Sequence, residues 1–165
     1  IDPVFLARAN NRMGKKGEKI SAEDEHVTRR RWLVVDTDPK RPIARISATD
    51  AEKLAARAVL DGVRDDLRAR GFAEPMICDS GNGFHAWYRI DLPTDDGKLV
   101  EHTLKRLARR HDTEHATVDT SVFNASRIMK VPGTWARKGS ETADRPHRMC
   151  RVLEVPQPEV EPCAR

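Results

Sequence analysis

One nine-residue stretch of this sequence has few structural interpretations. Residues 31–39 read Arg-Trp-Leu-Val-Val-Asp-Thr-Asp-Pro, and four consecutive apolar residues rich in β-branched and aromatic types predict a buried strand that the proline ends. Alternation along a strand places Asp36 and Asp38 on one face and Thr37 on the other. Two carboxylates on one face can share a hard divalent cation, although the same pattern also occurs in solvated turns.

A predicted β-hairpin carries a second polar cluster. Strands are expected over residues 75–79 and 84–90, and the turn between them reads Ser-Gly-Asn-Gly. Alternation in the second strand places three side chains on one face: His85, Trp87 and Arg89. A glycine-rich turn lets a phosphate approach backbone N–H groups, and His85 could donate to a phosphate oxygen. An ordinary Asn-Gly turn followed by a satisfied histidine is the alternative.

A third cluster follows the last predicted helix. Asp119 comes directly after an apolar residue, Arg127 and Lys130 lie three residues apart, and Arg137 and Lys138 come after a turn. Cations spaced in this way can clamp a triphosphate. A solvated basic face is the alternative.

Other patterns predict helices, turns and further strands. Thr49 or Ser47 can cap a helix over residues 50–70, which Gly71 would end. We expect one side of that helix to carry Leu54, Ala55, Ala58, Leu60, Val63 and Leu67. The remaining expectations are a helix over 2–12, a polar Gly/Lys loop over 11–30, a helix over 95–110, a helical turn over 124–128, a strand and turn over 129–133, and a strand over 148–155.

Together these segments resemble the archaeo-eukaryotic primases, which include the primase-polymerases of phages, plasmids and mobile elements. That family carries an apolar run ending in Asp-x-Asp, then a small residue-x-His, then an apolar residue before Asp or Glu. Here the three motifs are residues 33–38, 83–85 and 118–119, in the same order and strand contexts. The wider phrases Asp-Ser-Gly-Asn-Gly-x-His and Asp-Thr-Ser-Val-Phe-Asn-x-x-Arg-Ile are similar to the prophage-type branch. The resemblance covers about residues 1–155.

The resemblance implies a set of site residues and a cofactor. Asp36, Asp38 and Asp119 would hold two Mg²⁺ or Mn²⁺ ions, and His85 would bind the phosphates of the incoming nucleotide. These four are the implied catalytic residues. The nucleotide site would also be lined by Ser80, Asn82, Gly83, Arg127 and Lys130.

The resemblance also implies a fold and a reaction. The fold would be α+β, with an antiparallel, RRM-like (palm-like) sheet and helices packed on one face. The reaction would be template-directed attack of a 3′-hydroxyl on an NTP or dNTP, making or extending primers in DNA replication. Partners would be nucleoside triphosphates, a single-stranded DNA template with its primer, and a fused or associated replicative helicase. The alternative is a non-catalytic module that binds single-stranded nucleic acid or a helicase.

Composition fits these expectations and limits others. The chain has 165 residues, enough for one domain, and carries 30 Lys+Arg against 26 Asp+Glu, which suits a polyanionic partner. It has no run of about 18 apolar residues and opens without a signal-peptide pattern, so we expect a cytoplasmic protein without a membrane partner. We expect residues 1–155 to form a catalytic core lacking its N-terminal part, and residues 156–165 a proline-rich tail or linker.

Overall fold

The computed structural model describes residues 1–9 and 22–157. Within them, 3₁₀ turns lie at Asp24–His26 and Thr120–Phe123. The helices and strands are α1 (Pro3–Ala9), β1 (Arg30–Pro39), α2 (Asp50–Ala69), β2 (Met76–Asp79), β3 (Phe84–Leu92), α3 (Leu99–His111), β4 (Ala116–Val118), β5 (Trp135–Ala136), β6 (Arg148–Met149) and β7 (Arg151–Glu154). Part of the predicted 11–30 loop, and residues 10–12 of the predicted first helix, lie outside the described residues.

Five of these strands form one antiparallel sheet in the order β4-β1-β3-β2-β7. Along the chain, the first four strands alternate with two helices as β-α-β-β-α-β, which is the split βαβ arrangement. This order places β1 and β3 side by side in the middle of the sheet. β5 and β6 form a separate two-stranded ladder. The predicted α+β class with an antiparallel sheet is therefore confirmed.

The core lies between this sheet and the two longer helices. Leu33 and Val35 of β1 point to the same side as Ala86 and Tyr88 of β3, and all four are buried. The helices contribute a matching set of buried residues: Ala56, Val59, Leu60, Val63, Leu67, Val100, Leu104, Leu107 and Ala108. Because side chains alternate along a strand, the other half of β1 is left on the opposite face of the sheet.

The start of α2 is where the sequence predicts it. The Thr49 hydroxyl accepts a hydrogen bond from the Glu52 N–H (3.1 Å), and the Glu52 carboxylate accepts one from the Thr49 N–H (2.9 Å). This reciprocal pair is a capping box. The chain leaves the helix at Gly71, whose φ of +83° suits glycine.

The predicted buried side of α2 is partly wrong. Leu54 is 71% exposed and Ala58 is also exposed, whereas Val59 is buried. At 3.6 residues per turn, Leu54 and Ala58 lie about 120° and 160° around the helix from the buried Leu60. The apolar stripe is therefore narrower than the apolar residues of this segment suggest.

The predicted start of α3 is also wrong. The helix begins at Leu99 rather than at residue 95, because Gly97 and Lys98 have φ values of +58° and +65°. Such left-handed backbone cannot belong to a right-handed helix.

The predictions for residues 124–155 fail in two places. Residues 124–128 contain a single hydrogen-bonded turn, closed by a bond from the Arg127 N–H to the Asn124 carbonyl (3.3 Å), where a helical turn is expected. Over the described chain, residues 129–133 form no strand, although the turn at 132–133 is present. The expected final strand is divided at Cys150, whose backbone bonds to Gly133 and Thr134 (2.8 Å each). The chain changes partners there, since β6 pairs with β5 while β7 joins the edge of the large sheet.

Among the described residues, none of the helices combines the length and apolar character required to cross a bilayer.

Candidate functional site

Three predicted site residues form a row across the middle of the sheet. Asp36 on β1 lies directly opposite His85 on β3, and its carbonyl oxygen accepts a hydrogen bond from the Asp119 N–H (2.8 Å) at the end of β4. Neighbours of this kind in an antiparallel sheet have Cα atoms about 4.5–5.5 Å apart. Asp38 lies two residues further along β1, on the same face. The face is the one that the helices leave uncovered.

A cleft of about 230 Å³ opens over this row. Eight of the nine predicted site residues line it: Asp36, Asp38, Ser80, Asn82, His85, Asp119, Arg127 and Lys130. The sheet supplies the acidic floor, and the segment after β4 supplies the basic wall. Segments more than ninety residues apart in sequence, such as those of Asp36 and Lys130, thus converge on one site.

The Asp36 carboxylate is the most strongly perturbed group in the cleft. Burial, followed by the neighbouring charges of Asp38 and Asp119, raises its pKa well above the ordinary value, and Lys138 and Arg127 counteract this only in part. In the described part of the chain, its Oδ1 is buried without a hydrogen-bond partner. A cation at this position would relieve both the desolvation and the repulsion.

His85 is buried beside Asp36 and is 4% exposed. Its Nε2 lies 3.6 Å from the Asp36 Oδ1, which is beyond hydrogen-bond distance. Burial lowers the pKa of the imidazole, so the ring is neutral at pH 7 and has one N–H to donate. Its Nδ1 has no partner among the described residues.

The turn between β2 and β3 is held by the side chains that sequence analysis assigns to nucleotide binding. The Ser80 hydroxyl accepts a hydrogen bond from the Gly83 N–H (3.0 Å), and the Asn82 carbonyl oxygen accepts one from the Ala48 N–H (2.7 Å). Asn82 keeps an amide group that can still donate toward the cleft. Ser80 and Asn82 therefore fix the turn as well as lining the cleft.

Gly83 is the one predicted site residue that does not line the cleft. It lies against the backbone of β1, where a Cβ atom would overlap the carbonyl oxygen of Thr37 and lie 3.0 Å from the Asp38 carboxylate. Its contribution is close approach of the turn to the acidic strand.

The structure adds residues that the predicted site set lacks. Lys138 lines the cleft beside Lys130, and its carbonyl accepts a hydrogen bond from Ser47 (3.2 Å). Arg137 and Lys138 are visible in the sequence as a pair of cations. The structure shows that they differ, because Lys138 lines the cleft while the Arg137 guanidinium lies 5.8 Å from the Trp135 ring. The cleft also has an apolar wall, in which Val122 and Ile128 belong to the phrase over residues 119–128 and Met129 has no sequence signal of its own.

The carboxylate oxygens in the cleft suit a hard divalent cation by type, although they do not form a complete ligand set in this structure. Across residues 1–9 and 22–157, no three His, Cys, Asp or Glu side chains form a group that could hold a metal as they stand. The Asp119 Oδ1 accepts a hydrogen bond from the Ser121 N–H (2.7 Å) and caps the following 3₁₀ turn. The unpartnered oxygen of Asp36 and the nearby Asp38 are hard oxygen ligands of the type that Mg²⁺ and Mn²⁺ prefer.

Comparison of this chain with protein-family models, with curated protein sequences and with solved structures finds no match.

Proposed function

We propose that this chain is the catalytic core of a DNA primase or primase-polymerase of the archaeo-eukaryotic type. The observation that carries the proposal is the row Asp119–Asp36–His85 across three adjacent strands, with Asp38 beside it and a basic wall opposite. Acidic and basic groups on opposite sides of one cleft suit a metal-bound triphosphate. The split βαβ sheet, open on the face that carries the acids, is the arrangement expected of a palm-like core.

In the proposed reaction, Asp36, Asp38 and Asp119 would hold two divalent ions. When bound, such ions activate an attacking hydroxyl and stabilise the charge on the leaving pyrophosphate. The protein's own part is to bind and orient the nucleotide. The neutral His85 would donate its N–H to a phosphate oxygen, while Lys130 and Lys138 would neutralise the triphosphate.

Two features support Lys130 and Lys138 in this role. Both are partly buried in the cleft wall, and neither forms a hydrogen bond through its ammonium group or an ion pair within the described residues. An ammonium group without a carboxylate partner, in a cleft that also contains acidic residues, can bind a triphosphate that carries its own metal ions. Ribo- and deoxynucleotides both fit this chemistry, with a single-stranded DNA template, a primer and an associated helicase as partners.

The test is primer synthesis on single-stranded DNA with labelled nucleotides and Mg²⁺ or Mn²⁺. Asp36→Ala, Asp38→Ala should lower product formation by about 1,000-fold, since metal assistance is worth several kcal/mol. The control is Asp65→Ala, which removes an exposed carboxylate of α2 and should leave synthesis unchanged. Full activity in the double variant would refute the assignment.

One observation favours a second function, a non-catalytic module that binds single-stranded nucleic acid or a helicase. Asp119 already serves as the cap of a 3₁₀ turn, so the acids could act as fold elements alone. Nucleotide binding that requires a divalent metal and is lost in His85→Ala supports the enzyme. Metal-independent binding of single strands that weakens steeply with salt supports the module.

A further inference from the structure

The uncovered face of the sheet continues beyond the acidic row as two further rows. In the register of β1 with β3, Val34 lies opposite Trp87, and Trp32 lies opposite Arg89. Both rows are on the same face as Asp36, because the positions along β1 differ by two and by four residues. At about 3.3 Å per residue, Trp32 lies roughly 13 Å along the strand from Asp36. Two tryptophans and an arginine thus follow the acidic row along the sheet.

The two tryptophans form an aromatic surface with a cation beside it. Their ring centroids are 6.2 Å apart and nearly perpendicular, and the Arg89 guanidinium lies 5.2 Å from the Trp32 ring. Trp32 is 44% exposed, which is unusual for so large an apolar side chain. The Trp87 Nε1 is buried and has no acceptor in the described part of the chain.

A second cleft, of about 370 Å³, lies next to the first and is lined by Trp32, Val34 and Trp87 of these rows. The two clefts share four wall residues: Val122, Arg127, Ile128 and Met129. The two clefts are therefore adjacent along the surface, as a ligand that contacts both requires.

The charges along this path suit an anionic chain. Arg29 and Arg31 are both paired with Asp91, which leaves one net positive charge among the three side chains. Arg89 and Arg127, by contrast, form no ion pair within the described residues, and Arg127 lies where the two clefts meet. Unpaired arginines beside exposed aromatic rings are the combination that binds a phosphate backbone while its bases stack.

We propose that Trp32 and Trp87 form a stacking platform for the bases of a single-stranded DNA that leads toward the acidic row. The distance of roughly 13 Å corresponds to about four stacked bases at 3.4 Å each. Stacking on tryptophan accepts any base, as a strand of variable sequence requires. The identification of the strand as DNA rests on the proposed function, whereas the platform itself rests on the sheet register and the adjacent clefts.

The experiment is fluorescence anisotropy with a labelled oligothymidylate of roughly 16 nucleotides, in EDTA and without nucleotide. Trp32→Leu and Trp87→Leu, which retain apolar bulk but lose the ring, should each weaken binding by about 5- to 150-fold. Trp32→Phe and Trp87→Phe should retain most of the affinity. The matched control is Trp135→Leu, which removes an exposed tryptophan that lines neither cleft and should change affinity by less than about twofold.

Unchanged affinity in both leucine variants, or wild-type protein that does not bind the oligonucleotide, would overturn the proposal. If Trp87→Leu does not fold, the comparison of Trp32→Leu with Trp32→Phe still decides. Because the assay needs neither metal nor nucleotide, an inactive protein that binds through its tryptophans upholds the platform. A protein that synthesises primers but whose DNA binding is unchanged by both tryptophan substitutions would overturn the platform and leave the proposed function intact.

Discussion

Asp36 lies where β1 meets its two neighbouring strands, and its environment is unfavourable for a carboxylate. It is largely removed from water, one oxygen has no partner in the described residues, and the charges of Asp38 and Asp119 repel it. A buried charge without a compensating partner destabilises a fold. Such unfavourable positions are typical of functional sites, where a ligand supplies the missing interaction.

The substitution Asp36→Asn tests whether the Asp36 charge destabilises the fold and whether it is needed for binding a metal ion. Asp36→Asn should raise the free energy of unfolding in EDTA by roughly 0.5–2 kcal/mol, because it removes the repulsion at constant size. In wild-type protein, Mn²⁺ at a hundredfold excess over its Kd should add about 2.7 kcal/mol. Asp36→Asn should lose this gain. Urea unfolding with and without Mn²⁺ measures both effects.

The control for this prediction is Asp65→Asn on the exposed side of α2. It should change the free energy of unfolding by less than about 0.5 kcal/mol and keep the response to Mn²⁺. An Asp36→Asn protein that is less stable than wild type in EDTA would show that the carboxylate serves the fold.

Sequence alone identifies the residues whose type carries the chemistry. Strand alternation places Asp36 and Asp38 on one face, and a histidine after a glycine turn is visible as a candidate ligand. What the sequence does not show is that a residue of the candidate site also has a structural role. The cap made by Asp119 is a local contact with Ser121, but it only becomes evident once the 3₁₀ turn is seen, and the close approach of Gly83 to β1 depends on a contact between distant segments.

Among the helices and strands, length decides how well an element can be predicted from the sequence. β1, β3 and α2 are long enough for their periodicity to show, and each lies within about two residues of its predicted bounds. β5 and β6 have two residues each and exist only because they pair with one another. Such strands have no local pattern, so the segment after β4 was the least predictable part of the chain.

The start of α2 anchors this unpredictable segment. The Arg145 guanidinium donates two hydrogen bonds to the Glu52 carboxylate (2.8 Å each) and one to the Ser47 carbonyl (2.7 Å). Glu52 is also part of the capping box with Thr49. Since Ser47 in turn donates to the carbonyl of Lys138, the clamp connects the helix start to the basic wall of the cleft.

A double-mutant cycle measures the strength of this clamp. Glu52→Gln and Arg145→Met should each lower the free energy of unfolding by about 1–3 kcal/mol, because charge-assisted hydrogen bonds at a shielded position are lost. The coupling energy between them should exceed about 1 kcal/mol. Urea unfolding of the two single variants and the double variant gives the value.

The i, i+4 pair Lys105 and Glu101 on α3, whose side chains are 53% and 18% exposed, provides a comparison cycle. A pair at i, i+4 on a helix surface should couple by only about 0.3–0.5 kcal/mol. Equal coupling in the two cycles would mean that the Arg145 clamp contributes no more than an ordinary surface pair.

Across the whole molecule, arginines of α2 connect the helix to the edge of the sheet. Glu154 on β7 accepts hydrogen bonds from Arg57 (3.0 Å) and Arg64 (2.7 Å). Glu74, just before β2, accepts from Arg64 (2.7 Å) and from Arg68 (2.5 Å). Helix α2 is thereby bonded to the edge strand β7 and to the residue just before β2. Each of these charge-assisted hydrogen bonds needs an ionised glutamate.

This dependence gives the molecule a predictable response to acid. Hydrogen bonds from Arg145, Arg68 and Arg57 lower the pKa values of Glu52, Glu74 and Glu154, respectively. The unfolded chain therefore binds more protons near pH 4. The stabilisation is complete well above the unfolded pKa of about 4.3 and is lost as pH falls toward the lower folded values.

The raised pKa of Asp36 acts in the opposite direction, because its contribution becomes more favourable as pH falls. Asp36→Asn removes this opposing contribution, so in that variant the three partly exposed glutamates, at about 0.5–1 kcal/mol each, should leave the free energy of unfolding about 1–2 kcal/mol lower at pH 3.5 than at pH 7. Urea unfolding at the two pH values tests this. Glu154→Gln should show a smaller difference, and a protein as stable at pH 3.5 as at pH 7 would mean that these glutamates do not fasten the sheet edge to α2.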